Sequence, residues 1–350
     1  MITADLFENN GKIDAFVFLG ESNRFYFTRC ETSFGAVIIT PDTNVFITDF
    51  RYEAEVREKV RDFDIVISTF AEFYDKISET LTKIGAKTVG YEETMPVGEF
   101  NALKSALKEF KLKPATDIID MKRAVKTQEE IGFITSAQRI AERALAKAMS
   151  IVKPGITERE LMAEINYEMI MAGAEKYAFE TITAFGANSA QPHHHPSDKK
   201  LDKDELILVD MGAKYKGYCS DMTRTFCLGN PGEELTRVYE IVKAAQEYAI
   251  KHIKAGMTCN DADSLAREYI YANGYGNNFG HSFGHGVGID IHETPRVGAK
   301  SDFVLQPNMV ITAEPGIYIQ GLGGVRIEDM LVVGEKGVTN LTEYDKKLSI

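Results

Sequence analysis

"LILVDMGAKYKGYCSDMTRT", residues 206–225, is an apolar run closed by an acid, a glycine-punctuated turn, and a return run opened by a second acid. Asp210 ends the first run and Asp221 opens the second. Roughly a hundred residues later "MVITAEPGIYIQGLGGVRIEDM" (309–330) repeats the plan, with Glu314 after its apolar run and Glu328 on its return. Both stretches predict hairpins. An acid at the end of an apolar run is partly buried and needs a partner. One such acid could cap a turn or pair with a Lys or Arg. Four of them in matched hairpins point to a shared site.

The surroundings of the hairpins also repeat. "PGITERELMAEINYEMIMAGAEK" (154–176) is a turn, a capped helix and a small-residue stop, and "AGMTCNDADSLAREYIYANGYGN" (255–277) follows the same order. Between helix and hairpin each half holds a histidine cluster. "QPHHHPSD" (191–198) carries His193, His194 and His195, and "FGHSFGHGVGIDIHETP" (279–295) carries His281, His285 and His292. Of seven histidines only His252 lies outside the clusters. Two similar halves, each of helices plus strands, predict a pseudo-twofold α+β domain.

Ahead of this domain the texture differs. "DAFVFLG" (14–20) and "GAVIITPDTNVFITD" (35–49), the latter broken at Pro41-Asp42, read as strands. "RYEAEVREKV" (51–60) and "AEFYDKISETLTKIG" (71–85) read as amphipathic helices, and "KTVGYEE" (87–93) as another strand. This is a smaller α/β domain without a catalytic cluster. Thr127-x-x-Glu130 and Thr157-x-x-Glu160 are capping boxes that open helices. Ile131, Ile134, Ile140, Leu145 and Ile151 keep a helical period after the first box, and Lys153-Pro154-Gly155 ends it. The expected division is 1–121 and 122–350.

Composition narrows the function. A chain of 350 residues is natural for two domains, and a net charge of −12 argues against nucleic-acid binding. No apolar run reaches the length of a membrane span, and "MITADLFENN" has no signal-peptide pattern. Cys30, Cys219, Cys227 and Cys259 lack CxxC spacing and read as reduced thiols of a cytoplasmic protein. If the four acids converge, neighbouring charges ~4 Å apart repel by about 4 kcal/mol at an effective dielectric near 20. Divalent cations relieve that repulsion. A carboxylate-rich site with an imidazole suits Mn²⁺, Co²⁺, Fe²⁺ or Zn²⁺, and bridging carboxylates accommodate two ions for hydrolysis. "GHSFGHGVG" is not a zincin helix, since it lacks the HExxH glutamate and its glycines oppose a helix. Those glycines let backbone pass close to a metal or substrate.

At these residues the sequence resembles the pita-bread metallopeptidases, which include methionine aminopeptidase, aminopeptidase P and prolidase (Xaa-Pro dipeptidase). The resemblance runs from about residue 122 to the C-terminus, and the preceding domain resembles the creatinase-type one. It implies five metal ligands, Asp210, Asp221, His285, Glu314 and Glu328, and two divalent ions, Mn²⁺ or Co²⁺ first, Zn²⁺ or Fe²⁺ next. Asp221 and Glu328 would bridge. Asp210 would complete one site, His285 and Glu314 the other. A bridging water would attack the scissile carbonyl, with Glu314 as general base and later acid. His193 and His292 would steady the tetrahedral intermediate and move protons, and His281 would face the substrate. Phe179 and Ile291 would line the proline pocket, Arg326 would support the site near Glu328, and Thr223 would bond a ligand. Arg296, in "HETPR", would hold a dipeptide's carboxylate. His194, His195 and His252 are expected to be solvent-exposed. The implied activity is cleavage of Xaa-Pro bonds in dipeptides or short peptides by a homodimer. Prolidase is favoured over aminopeptidase P, then methionine aminopeptidase. A non-catalytic peptide-binding module is the non-enzyme alternative, and the full ligand set argues against it.

Overall fold

The structure is a computed structural model that describes residues 6–7 and 13–350. The N-terminal stretch read for a signal-peptide pattern lies largely outside the described residues. The chain falls into two compact units, one running to Arg123 and the other from Ala124 to Ile350.

The first unit runs β1 (Ala15–Phe18), α1 (Glu21–Thr28), β2 (Ala36–Ile39), β3 (Asn44–Thr48), α2 (Glu53–Lys59), β4 (Asp64–Ile67), α3 (Phe73–Ile84), β5 (Thr88–Tyr91), α4 (Val97–Ala106), β6 (Lys111–Pro114) and α5 (Thr116–Ala124). Its six strands form one mixed sheet in the order β4-β3-β2-β1-β5-β6. The Val, Ile and Phe side chains of β1 and β2 are fully buried. A run buried on both faces is what a central strand covered by helices requires. α3 shows the matching helical logic. Phe73, Ile77 and Leu81 form one buried stripe, and Gly85 ends the helix in the left-handed region at φ 78°.

The second unit opens with α6 (Gln128–Ala148) and α7 (Glu158–Met171). Both begin with complete capping boxes, Thr127 with Glu130 and Thr157 with Glu160. Then come β7 (Lys176–Tyr177), β8 (Ile182–Phe185), β9 (Leu206–Met211), β10 (Ala213–Tyr215), β11 (Tyr218–Cys219) and β12 (Met222–Cys227). The second half repeats this with α8 (Glu233–His252), α9 (Cys259–Ala272), β13 (Gly284–Gly286), β14 (Glu293–Val297), β15 (Val310–Ala313), β16 (Gly316–Ile319), β17 (Gly323–Arg326), β18 (Asp329–Val333) and β19 (Val338–Asn340). The second unit is thus α+β, built from two similar halves of helices and strands as expected, and the first unit is a smaller α/β domain.

Each predicted hairpin is a pair within a pair. β9 pairs antiparallel with β12 and β15 with β18, while the intervening residues form the shorter pairs β10/β11 and β16/β17. The acids stand where outer pair meets inner pair: Asp210 late in β9, Asp221 just before β12, Glu314 just after β15, Glu328 just before β18. The two hairpins are stitched together. The Glu328 amide donates to the Thr223 carbonyl (3.1 Å), the Thr225 hydroxyl donates to the Arg326 carbonyl (2.9 Å), and Arg224 Nη1 donates to the Glu328 carbonyl (2.6 Å). From α8, Gln246 Nε2 donates to the carbonyls of both Ala313 and Ile327, at 2.9 and 3.2 Å. These contacts turn four acids separated in sequence into neighbours.

Candidate metal centre

His285 fixes the centre of the site. It stands on β13 between Gly284 and Gly286, and a Cβ on either glycine would come within 2.1 Å of the Thr312 carbonyl oxygen or 2.4 Å of that of Thr294. Glycine is required there because neighbouring backbone passes too close for any side chain. Its amide donates to the Thr312 hydroxyl (3.0 Å), and Nδ1 donates to the Gly286 carbonyl (3.0 Å). With the proton on Nδ1, Nε2 presents a lone pair. Burial also holds the ring neutral, pulling its pKa down to about 4.

That lone pair faces carboxylates. Nε2 lies 3.5 Å from Asp221 Oδ2 and 3.4 Å from Glu314 Oε1. Three acceptors turned toward one another repel unless a cation or protons stand between them. The acids register this. Asp221 and Glu328, 4% and 2% exposed, are both pushed well above the usual carboxylate range, first by burial and then by the neighbouring carboxylates. Glu314 is pushed up to about 8, chiefly by burial. Asp221, His285 and Glu328 each offer a ligand atom within 4.8 Å of the others. Oδ1 of Asp210 is buried without a hydrogen-bond partner. Oxygen donors with one imidazole, crowded beyond what protons satisfy, fit a divalent ion.

The partners around these groups hold them in place. The Thr223 hydroxyl donates to Glu328 Oε2 (2.6 Å), and the Thr312 hydroxyl donates to Glu314 Oε1 (3.2 Å). Arg326 is nearly enclosed. It donates through Nε to the Thr223 hydroxyl (3.0 Å), through Nη2 to Asp210 Oδ2 (2.6 Å) and through Nη1 to the Tyr318 hydroxyl (2.9 Å). Burial works against its charge, but Tyr318, Asp210 and Glu314 outweigh it and raise its pKa well above the usual value. The Tyr318 hydroxyl in turn bonds His281 Nε2 at 2.9 Å, and His281 Nδ1 donates to the Ser282 carbonyl at 2.8 Å. Both ring nitrogens of His281 are therefore engaged, and burial lowers its pKa to about 4. Tyr318 went unread in the sequence, although its facing residue is a signal. It pairs across the strands with Gly324, where a Cβ would meet the tyrosine ring at 2.7 Å.

Around the buried acids the remaining residues lie nearer the surface. The exposed His292 stands edge-on to His285 with ring centroids 4.4 Å apart. His193 is exposed in the loop that Arg326 Nη1 reaches at the Pro192 carbonyl (3.4 Å). Phe179 is half-buried against Gly212, and Ile291 is half-buried beside His292. Arg296 is exposed, pairs in register with His285 across β13 and β14, and donates through Nε to the Ser282 hydroxyl at 2.7 Å. One expectation is corrected. His194 is buried, because its Nε2 meets Glu158 Oε2 at 2.8 Å inside the unit. His195 and His252 are exposed.

Comparison with known proteins agrees with this architecture. Residues 132–335 match the model of metallopeptidase family M24, and residues 4–125 that of the creatinase/prolidase N-terminal domain. The chain is 40% identical over 346 residues to an Xaa-Pro dipeptidase of Pyrococcus furiosus, covering 98% of this chain and 97% of the relative. Among solved structures it is similar to an Xaa-Pro dipeptidase from Bacillus anthracis, with a TM-score of 0.93, 37% identity and coverage of 97% and 95% of the two chains. It is also similar to an X-Pro aminopeptidase from Thermotoga maritima, with a TM-score of 0.91, 37% identity and coverage of 97% and 98%.

Proposed function

Because the chain belongs to metallopeptidase family M24, we propose that it hydrolyses the Xaa-Pro bond of dipeptides, with short Xaa-Pro peptides as the next substrate class. The observation that carries the reading is the convergence of Asp221, Glu314 and the Nε2 lone pair of His285 on one point. The proposed catalytic domain is 122–350, preceded in the sequence by a creatinase-type domain at 1–121.

In this reading Asp210, Asp221, His285, Glu314 and Glu328 would hold two divalent ions, with Asp221 and Glu328 serving both. When bound, the ions supply Lewis acidity for the scissile carbonyl and lower the pKa of a water molecule toward neutrality. The chain's own groups do the rest. Glu314, whose burial raises its affinity for a proton and whose carboxylate the bound ions would keep ionised, would take the proton of the attacking water and pass it to the departing prolyl nitrogen. His193 and His292 donate to the oxygen that gains charge in the tetrahedral intermediate. Arg326, tied to Asp210 and Thr223, orients a ligand and the Thr223 hydroxyl that bonds Glu328. Phe179 and Ile291 flank the proline ring, and His281 shapes the substrate side through Tyr318. Arg296 takes the free carboxylate of the dipeptide, for which a planar guanidinium suits bidentate contact. Its place in register with His285 supports that assignment.

We propose Mn²⁺ or Co²⁺ ahead of Zn²⁺ or Fe²⁺, on the resemblance to the family; a carboxylate-rich site with one imidazole suits all four. The reading extends to a cytoplasmic homodimer, which four free, buried cysteines suit. Among the described residues no helix is long and apolar enough to cross a membrane. The test is turnover of Ala-Pro against Ala-Pro-Ala by protein reconstituted with Mn²⁺ or Co²⁺. Release of alanine from Ala-Pro with strong preference over the tripeptide is expected. Equal kcat/KM would move the activity to an Xaa-Pro aminopeptidase, in keeping with the similarity to the Thermotoga protein. No cleavage of either would overturn the reading.

A further inference from the structure

Each exposed histidine assigned to the reaction is followed by a buried side chain. His292 precedes Glu293, and His193 precedes His194. Glu293 forms an enclosed ion pair with Lys126, Nζ to Oε2 at 3.1 Å, with the two side chains 1% and 6% exposed. Its other oxygen accepts the Asp290 amide at 3.1 Å, which closes the turn that carries His292. Lys126 is itself fixed, because its amide donates to the Asn308 carbonyl (3.0 Å) and it directly precedes the Thr127 cap of α6.

The other half uses the same construction with different chemistry. Glu158, at the start of α7 directly after its Thr157 cap, is wholly buried. It accepts from the Phe185 amide (2.8 Å), Asn188 Nδ2 (2.9 Å), His194 Nε2 (2.8 Å), and the Ser197 amide and hydroxyl (2.9 and 2.6 Å). These bonds draw the loop inward on the far side of His193, while Arg326 holds its near side at Pro192. His193 lies in a turn and His292 in the bend that leads into β14, so the buried side chain after each one fixes the loop from which the exposed ring projects.

We infer that Lys126 and Glu158 are positioning residues that aim His292 and His193 by burying Glu293 and His194 beside them. The inference rests on the roles given to the two histidines under the proposed function. A buried charged or bonded partner suits this work, because breaking the pair leaves an uncompensated group and a loop with no other defined place to settle.

Double-mutant cycles on the metal-reconstituted full chain test it, with turnover of Ala-Pro as readout. Lys126→Met and Glu158→Gln should each lower kcat about tenfold, with KM and bound metal nearly unchanged. Lys126→Met should cost nothing further in a His292→Ala background, nor Glu158→Gln in a His193→Ala background. The crossed combinations, Lys126→Met with His193→Ala and Glu158→Gln with His292→Ala, should multiply. If either variant fails to fold, Glu293→Gln or His194→Phe takes its place in the same cycle. Equal losses in parent and matched backgrounds would mean a general structural role and would overturn the inference. The single histidine variants separate the two claims. Unchanged kcat in His292→Ala and His193→Ala would overturn the histidine roles themselves, and the positioning with them.

Discussion

Arg326 ends β17, Asp221 and Glu328 stand just before β12 and β18, and all three are almost wholly enclosed, whereas His193, His292 and Arg296 are exposed on the segments around them. The enclosed set is fixed by many bonds. Arg326 alone engages Thr223, Asp210, Tyr318 and Pro192. The exposed set has few: Arg296 is held through Nε at Ser282. Under the proposed function the difference follows from what each must meet. A floor that holds ions gains from rigid, desolvated donors whose repulsion the ions relieve. A rim that meets a peptide must stay accessible, so its order is borrowed from the buried residues next to it.

The comparison breaks first at the floor. Asp221→Asn should abolish turnover of Ala-Pro and weaken metal retention at both sites, because a bridging acid serves both ions. Turnover near that of the parent in Asp221→Asn would remove the bridging assignment. His292→Ala tests the rim. It should lower kcat by ~10²–10³, about 2.7–4 kcal/mol, typical of one donor to a developing oxyanion. Bound metal, measured by elemental analysis, should stay the same. Loss of metal would place His292 on the floor instead.

A third test separates floor from rim through pH. In the metal-stripped protein Glu314 holds its proton up to about 8, against an ordinary value of 4.5. Between those values the folded state keeps a proton that the unfolded chain has released. The stabilisation is therefore complete below the unfolded value and is lost as pH rises through the folded one. Above the ordinary histidine range, where the buried His281 and His285 no longer oppose the trend, calorimetry should show the Tm of stripped protein falling from about pH 7 to 8.5 at constant ionic strength. Metal should flatten the decline, since ions replace the proton. The smallest effect is the most selective. Arg296→Ala should raise KM for Ala-Pro about tenfold and leave longer Xaa-Pro peptides nearly unaffected, the cost of one carboxylate contact. Equal effects on both substrates would return Arg296 to the solvent.

What could be read in the sequence follows the same line. The acids were visible because a charge at the end of an apolar run breaks a local pattern, and the capping boxes because Thr and Glu three apart act within one turn. The chain Asp210–Arg326–Tyr318–His281 was not visible as a chain, since its first link joins residues 116 apart in sequence. The burial of His194 is not legible in "QPHHHPSD", where nothing marks which histidine meets a glutamate 36 residues earlier. α1 escaped notice for a local reason. "ESNRFYFT" is rich in aromatic residues, and its Gly20 N-cap contributes no side-chain bond. Such a helix is held by burial against the sheet, which composition alone does not display.

The three glycines of "FGHSFGHG" at 280, 284 and 286 look interchangeable on paper, but only two of them face a wall. Around a Cβ at Gly280 nothing lies within 4 Å, while at Gly284 and Gly286 the carbonyls of Thr312 and Thr294 already occupy the space. In a saturation library selected for growth on a proline-containing dipeptide, alanine should survive at 280 and vanish at 284 and 286. The motif would then shrink to its sterically enforced part, and a search pattern for distant relatives should weight those two positions and ignore the third.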